Sequence, residues 1–344
     1  MENLKAVSVL ARSIPQLRLP SFGEPRRLTG VLALAMLWVI LALVAPGFRS
    51  HVNLANVASQ GTFLLILSLG QMLVIITRGF DISVGPVAVL SSIIAAQTAL
   101  RFGDAAGVAA GCAAGLALGC VNGYFIAYRK MAPVIVTLGI ALVVRGMATG
   151  ASMGADAVLL PPGSVFHALA YASWFGIPAL VLIAAPVAAL VWVIAMRTPL
   201  GRWFYMIGSN AEAAMLVGVP VRRAGLAAYV LCGLLAGVAG LFLLARSGSA
   251  VAVDGNGMEL QSIAACVIGG VALTGGNGRV WQVVAGTMFI QALLNGLNLI
   301  GASPFMSELV LGLIIVLSGV VDYVASRFSD RKVRHALQTP NPLR

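Results

Sequence analysis

Apolar residues run along this chain in ten long stretches, each closed by a polar or Gly/Pro-containing segment: Leu28–Gly47, Gly61–Thr77, Val84–Leu100, Ala105–Ala127, Ala132–Gly150, Gly176–Met196, Ala224–Ala245, Leu260–Thr274, Val280–Ile300 and Phe305–Ala325. A hydrocarbon core of about 30 Å is crossed by about 20 residues of helix, so stretches of this length predict transmembrane helices. The expected architecture is an all-α integral membrane protein, with a cytoplasmic tail at 1–27, a membrane domain at 28–325 and a cytoplasmic basic tail at 326–344. The first stretch exceeds the roughly 7–15 residues of a signal-peptide core and ends without Ala-x-Ala, so it is expected to persist as the first helix.

Composition decides the solvent. Of 344 residues 60% are hydrophobic and 10% charged, against about one-quarter charged in soluble domains. That is too little polar surface to coat an apolar globule in water. The net charge of +11 raises the question of an acidic partner. With both termini cytoplasmic, however, every Lys and Arg falls on the cytoplasmic side except Arg49, Arg101, Arg145 and Arg246. This is the positive-inside bias, and the basic charge reads as topology supplemented by anionic lipid, not as a nucleic-acid surface. Cys112, Cys120, Cys232 and Cys266 lie within apolar stretches without a Cys-x-x-Cys pair and read as small core hydrophobes. His51, His167 and His335 have no metal-ligand spacing, so no metal site is expected.

In the fourth stretch Gly107, Gly111, Gly115, Gly119 and Gly123 recur every four residues, which lines them on one helix face and predicts a close helix–helix contact. The third and eighth stretches are expected to be short, bounded by the runs Gly79–Pro86 and Thr274–Gly278. They occupy matching places if stretches two to five and seven to ten are two repeats. An odd offset inverts one repeat against the other, and short segments in matching positions point to a central solute site.

The largest polar interruption, Arg197–Arg223, predicts a short cytoplasmic helix: Asn210 caps it, Glu212 favours its positive end and Gly218 ends it. The same segment, with Gly201-Arg202, Ile207-Gly208-Ser209-Asn210, Ala213-Ala214 and Gly218, resembles the coupling loop of ribose-type ABC importer permeases, within the branched-chain amino-acid/ribose permease superfamily. Asp81-Ile82-Ser83-Val84-Gly85 resembles that family's Asp-Leu-Ser-Val-Gly signature. Val136-Thr137-Leu138-Gly139 with Arg145-Gly146 is similar to its fifth-helix pattern, and Ile268–Gly276 leading to Asn295-Gly296-Leu297-Asn298-Leu299 to its C-terminal block. Phe80 and Pro86 depart from the signature, where a smaller aliphatic residue and a Ser are expected; the departure bears on which solute is carried.

The resemblance implies a permease subunit of a bacterial inner-membrane importer for a monosaccharide or polyol. Its implied partners are a second permease subunit, a cytoplasmic ABC ATPase holding ATP-Mg and a periplasmic sugar-binding protein. Gly201, Arg202, Gly208, Asn210, Glu212 and Gly218 are the implied ATPase-coupling residues. No cofactor is expected on the chain itself: Lys5, Lys130 and Lys332 lie outside any Gly-x-x-x-x-Gly-Lys-Ser/Thr phosphate loop.

Polar groups inside a bilayer face protein or water, which makes Gln71, Asp81, Ser83, Arg145, Glu259, Asn295 and Asn298 candidates for the translocation path. Each has a structural alternative: pairing for Arg145, helix capping for Asp81 and Glu259, interhelical hydrogen bonds for the amides. Three other functions compete. A branched-chain amino-acid permease shares the topology and differs in solute, and a secondary transporter works without an ATPase. A membrane enzyme needs a nucleophile with its base or a set of metal ligands, neither of which the sequence offers.

Overall fold

The protein is described by a computed structural model over residues 24–320, apart from 153–156, 162, 253, 254, 256, 304 and 318. Its elements are α1 (Glu24–Val44), α2 (His51–Ile76), α3 (Val84–Phe102), α4 (Asp104–Gly123, continued by a π-helical turn Tyr124–Tyr128), α5 (Pro133–Ala151), α6 (Val165–Tyr171), α7 (Ala179–Arg197), α8 (Pro199–Ser209), α9 (Ala211–Leu216), α10 (Val221–Ser247), α11 (Met258–Gly269), α12 (Val280–Leu299) and α13 (Phe305–Leu317). Two antiparallel two-residue ribbons join β1 (Val158–Leu159) to β4 (Ser249–Ala250) and β2 (Ser173–Trp174) to β3 (Ile177–Pro178).

Each of the ten apolar stretches carries one helix. Among the described residues seven helices are long and apolar enough to cross a membrane, and Gly30–Val44, Met258–Gly269 and Phe305–Leu317 are shorter apolar helices. The chain is an all-α, multi-pass membrane protein. The proposed tails lie mostly outside the described residues, although α1 already begins at Glu24.

Two helices form the centre. Every residue from Gly61 to Ile76 of α2 is buried, and α10 buries Leu241, Phe242, Leu243 and Leu244 in succession. A helix apolar all round belongs inside the bundle. By contrast α4, α5 and α7 expose Leu116, Leu142, Val143, Leu190 and Trp192, an outer face suited to lipid or to another subunit.

The loops segregate into two sets. At one end Gly276 N donates to Ile76 O at 2.9 Å, Arg78 reaches Gly208 and Ser209, and Gly225 stands against Ala127. At the other, Ser164 Oγ donates to Asp104 Oδ1, β1 pairs with β4 and Gly176 stands against His51. The first set holds Arg78, Arg129, Lys130, Arg202, Arg222, Arg223 and Arg279, so we call it the basic end.

Helix contacts pair as an inverted repeat requires. With α2–α10 on the axis, α4–α10 matches α2–α12, α3–α4 matches α11–α12, and α3–α10 matches α2–α11.

The expectation of a short third span is corrected: α3 is a continuous helix of 19 residues, because Gly85 and Pro86 sit in its first turn, where a missing Cβ or N–H does not interrupt the hydrogen-bond ladder. The eighth is the short one. α11 has 12 residues and stops at Gly269, since Gly270 takes φ 96° and turns the chain away. Twelve residues rise about 18 Å, less than a crossing. Gly255 meets Gly85 and Val89, and Gly85 meets Glu259, so α11 starts beside the start of α3.

Candidate functional site

The Arg197–Arg223 segment folds as two helices. Thr198 caps α8, its hydroxyl accepting from Gly201 N at 3.2 Å with Pro199 at the first helical position. Phe204 and Ile207 bury one face of this helix. Asn210 Oδ1 accepts from Glu212 N and Ala213 N, each at 3.0 Å, and so starts α9. Gly218, at φ 84°, takes the chain out of it. The six residues proposed for coupling divide into two groups. Gly201 and Gly208 are buried against backbone: a Cβ on Gly201 would strike the carbonyls of Ile194 and Ala195, and one on Gly208 would strike Ile76 O and Gly276 N. Arg202, Asn210, Glu212 and Gly218 are exposed. The tip of the segment is apolar and open, with Met215 56%, Leu216 89% and Val217 68% exposed. These three residues escape the sequence reading, although three large apolar side chains in a polar loop are their signal.

Asp81 lies at the foot of α3, in a nest of hydrogen bonds. Ser83 donates to its Oδ1 from N at 2.9 Å and from Oγ at 2.6 Å, and Asn122 Nδ2 donates to Oδ2 at 3.3 Å and to Ser83 Oγ at 2.8 Å. The Gln71 amide, oriented to satisfy both of its atoms, donates to Asp81 O at 3.1 Å and accepts from Asp81 N at 3.3 Å. Gln71, Asp81 and Ser83 thus converge with α4 through Asn122. They pin the Gly79–Ser83 segment between α2 and α4.

Arg145 and Glu259 also converge. Arg145 Nη2 lies 2.7 Å from Glu259 Oε1; the arginine side chain is 43% exposed and the glutamate 7%. Glu259 is in the first turn of α11, where a carboxylate is favoured by the helix dipole. Its Oε2 is buried without a partner and stands 2.5 Å from where a Gly85 Cβ would be. The glycine of the Asp81–Gly85 motif therefore admits the starts of α3 and α11 to one another. A shallow cleft beside them is lined by Pro86, Val89, Arg145, Ala148, Ala252 and Gly255.

The remaining path candidates lie apart. Asn295 exchanges amide hydrogen bonds with Asn53, at 3.0 and 2.9 Å, tying α12 to the start of α2. Asn298 is exposed at the end of α12. The glycine stripe of α4 faces α3 and α10: Gly107 meets Ala95 and Ala99, Gly111 meets Ser91 and Leu241, Gly115 and Gly119 meet Gly233, and Gly123 meets Leu226.

This capped helix at the basic end of an inverted-repeat bundle is accompanied by a family match across most of the chain. Residues 53–319 match the family described as "Branched-chain amino acid transport system / permease component", and the chain belongs to that permease family. It is 36% identical over 308 residues to the ribose import permease protein RbsC of Bacillus subtilis (strain 168), covering 89% of this chain and 96% of that protein. To the L-arabinose transport system permease protein AraH of Escherichia coli (strain K12) it is 37% identical over 304 residues, covering 88% and 92%. To the fructose import permease protein FrcC of Rhizobium meliloti it is 32% identical over 308 residues, covering 84% of each. No solved structure matches the chain.

Proposed function

We propose that this chain is the permease subunit of an ATP-binding cassette importer for a monosaccharide or related polyol. It works as a pair, with an ABC ATPase on the basic end and a periplasmic binding protein on the other, in a bacterial inner membrane with both termini cytoplasmic. The observation that carries the reading is α9. It is a capped helix on the side where the cations collect, with Met215, Leu216 and Val217 held outward and Asn210 and Gly218 fixing its ends. Such a knob fits an apolar groove on a soluble partner. A sugar is favoured over a branched-chain amino acid because the relatives above are named for ribose, arabinose and fructose.

ATP binding draws the two ATPases together and the α9 helices with them, and the bundles then rock so that the path beside Arg145 and Glu259 opens outward; hydrolysis resets them. Arg145 lines the cleft and offers guanidinium N–H donors to the hydroxyls of a passing solute. The test is uptake into proteoliposomes holding the chain with its copurified ATPase and the binding protein. The expected result is ATP-dependent entry of labelled ribose, arabinose or fructose and none of leucine. Entry of leucine instead, or sugar uptake by the chain alone without ATP, would reject the reading.

A further inference from the structure

The basic end holds a joint that neither the coupling loop nor the solute path accounts for. Arg78, a non-glycine residue at φ 65°, follows α2 and sends its guanidinium to the last turn of α8. Nε donates to Gly208 O at 2.6 Å and Nη2 to Ser209 O at 2.8 Å. Those carbonyls close a helix C-terminus, where unpaired acceptors and the helix dipole favour a cation. The next residue, Asn210, is the cap of α9, so Arg78 grips the bend between the two helices.

The third member of the joint is the Gly275–Gly278 turn. Gly276 N donates to Ile76 O at 2.9 Å, and a Cβ on Gly276 would lie 2.7 Å from Ser209 Oγ. Gly208 in turn has no room for a Cβ against Ile76 and Gly276. Three stretches of backbone therefore meet without a side chain between them. One turn back along α8, Tyr205 Oη donates to Gly278 O at 2.6 Å; burial pushes its phenol up to about 12, against the pull of Arg279, so it stays a donor.

The two segments seized here are the ones that lead to the solute cleft. Thr77–Ser83 runs from Arg78 through the Asp81 nest into α3, and Gly270–Arg279 follows directly from α11. The starts of those two helices face each other at Gly85 and Glu259. Covalently, α9 is joined only to α8 and α10.

We infer that Arg78 is a positioning residue for transport: it locks the α8–α9 bend to the segments carrying α3 and α11, so that displacement of α9 reaches the cleft. This rests on the importer reading. Paired charge-assisted bonds to backbone hold such a contact rigid, and without them α9 moves while the cleft lags behind.

The test uses the intact complex in proteoliposomes, with labelled ribose, arabinose and fructose supplied together, and reads sugar imported per ATP hydrolysed. Arg78→Ala is expected to retain the copurified ATPase and its basal hydrolysis while import per ATP falls about tenfold, with Arg78→Lys intermediate. Tyr205→Phe removes a single hydrogen bond and lowers the ratio about two- to threefold. An unchanged ratio in Arg78→Ala overturns the inference. If that variant does not assemble, an unchanged ratio in Tyr205→Phe overturns it instead. A wild-type complex that imports without ATP, or imports none of these sugars, defeats the importer reading itself, whatever the variants do.

Discussion

An arginine midway along an apolar helix is costly to keep in a membrane unless something holds it, and Glu259 holds Arg145. The pair is asymmetric: the carboxylate is 7% exposed and the guanidinium 43%. Removing the arginine strands a buried charge, whereas removing both leaves nothing stranded. Arg145→Ala is therefore expected to destabilise the purified chain by about 1.5–3 kcal/mol, the worth of a hydrogen bond to a charged group, and Arg145→Ala/Glu259→Ala by less than the sum of the single changes. Thermal melts of the four proteins in one detergent give the coupling; strict additivity would dissolve the pair. The sequence singles out both residues, because each is charged and near a span, but their meeting depends on α5 and the start of α11 coming together across 114 residues of chain, which no local pattern encodes. Asn122 escapes the sequence reading even though it shares the glycine face of α4, three residues from Gly119. A polar residue on a packing stripe is the available signal.

At the scale of elements the small residues divide into those with room and those without. A Cβ at Gly115 would meet Gly233 O and lie 2.8 Å from Gly237 Cα, both backbone, while one at Gly139 of α5 meets nothing within 4 Å. Gly115→Ala must push α4 from α10 and is expected to cost about 1–3 kcal/mol. Gly139→Ala is expected to be neutral or to gain about 0.5–1 kcal/mol; equal melting temperatures for the two variants in detergent would refute the contrast. The cap of α9 sets a second expectation. Asn210 satisfies two amides at once, so Asn210→Ala is expected to cost about 1 kcal/mol locally, seen as roughly fivefold faster hydrogen exchange at Glu212 and Ala213 with the membrane helices unaffected. Hydropathy locates the spans but hides polar helix. α2 begins at His51, ahead of Gly61, because Ser50 caps Asn53 and the first turns carry Asn53, Asn56, Ser59 and Gln60. α8 reads as loop in the sequence despite its Thr-Pro start and the spacing of Leu200, Phe204 and Ile207, for charge and glycine outweigh an amphipathic pattern that spans only 11 residues.

For the whole molecule, orientation is the property on which the proposed coupling depends, and two physical facts constrain it. The loops sort into two mutually contacting sets, so the ends cannot be mixed, and only one set is rich in Arg and Lys. Because such cations resist translocation, the basic end is expected in the cytoplasm. Two residues report the ends with little disturbance, since Leu216 is 89% and Phe175 fully exposed. The four native cysteines, all within helices α4, α10 and α11, are first replaced by Ala or Ser. A membrane-impermeant maleimide applied to spheroplasts should then label Phe175→Cys and spare Leu216→Cys, and inside-out vesicles should give the reverse. Labelling of Leu216→Cys from the outer side would put α9 beyond the reach of any cytoplasmic ATPase. The joint at Arg78, Gly208 and Gly276 would then face the wrong compartment, and the same bundle would have to move its solute by some other source of energy.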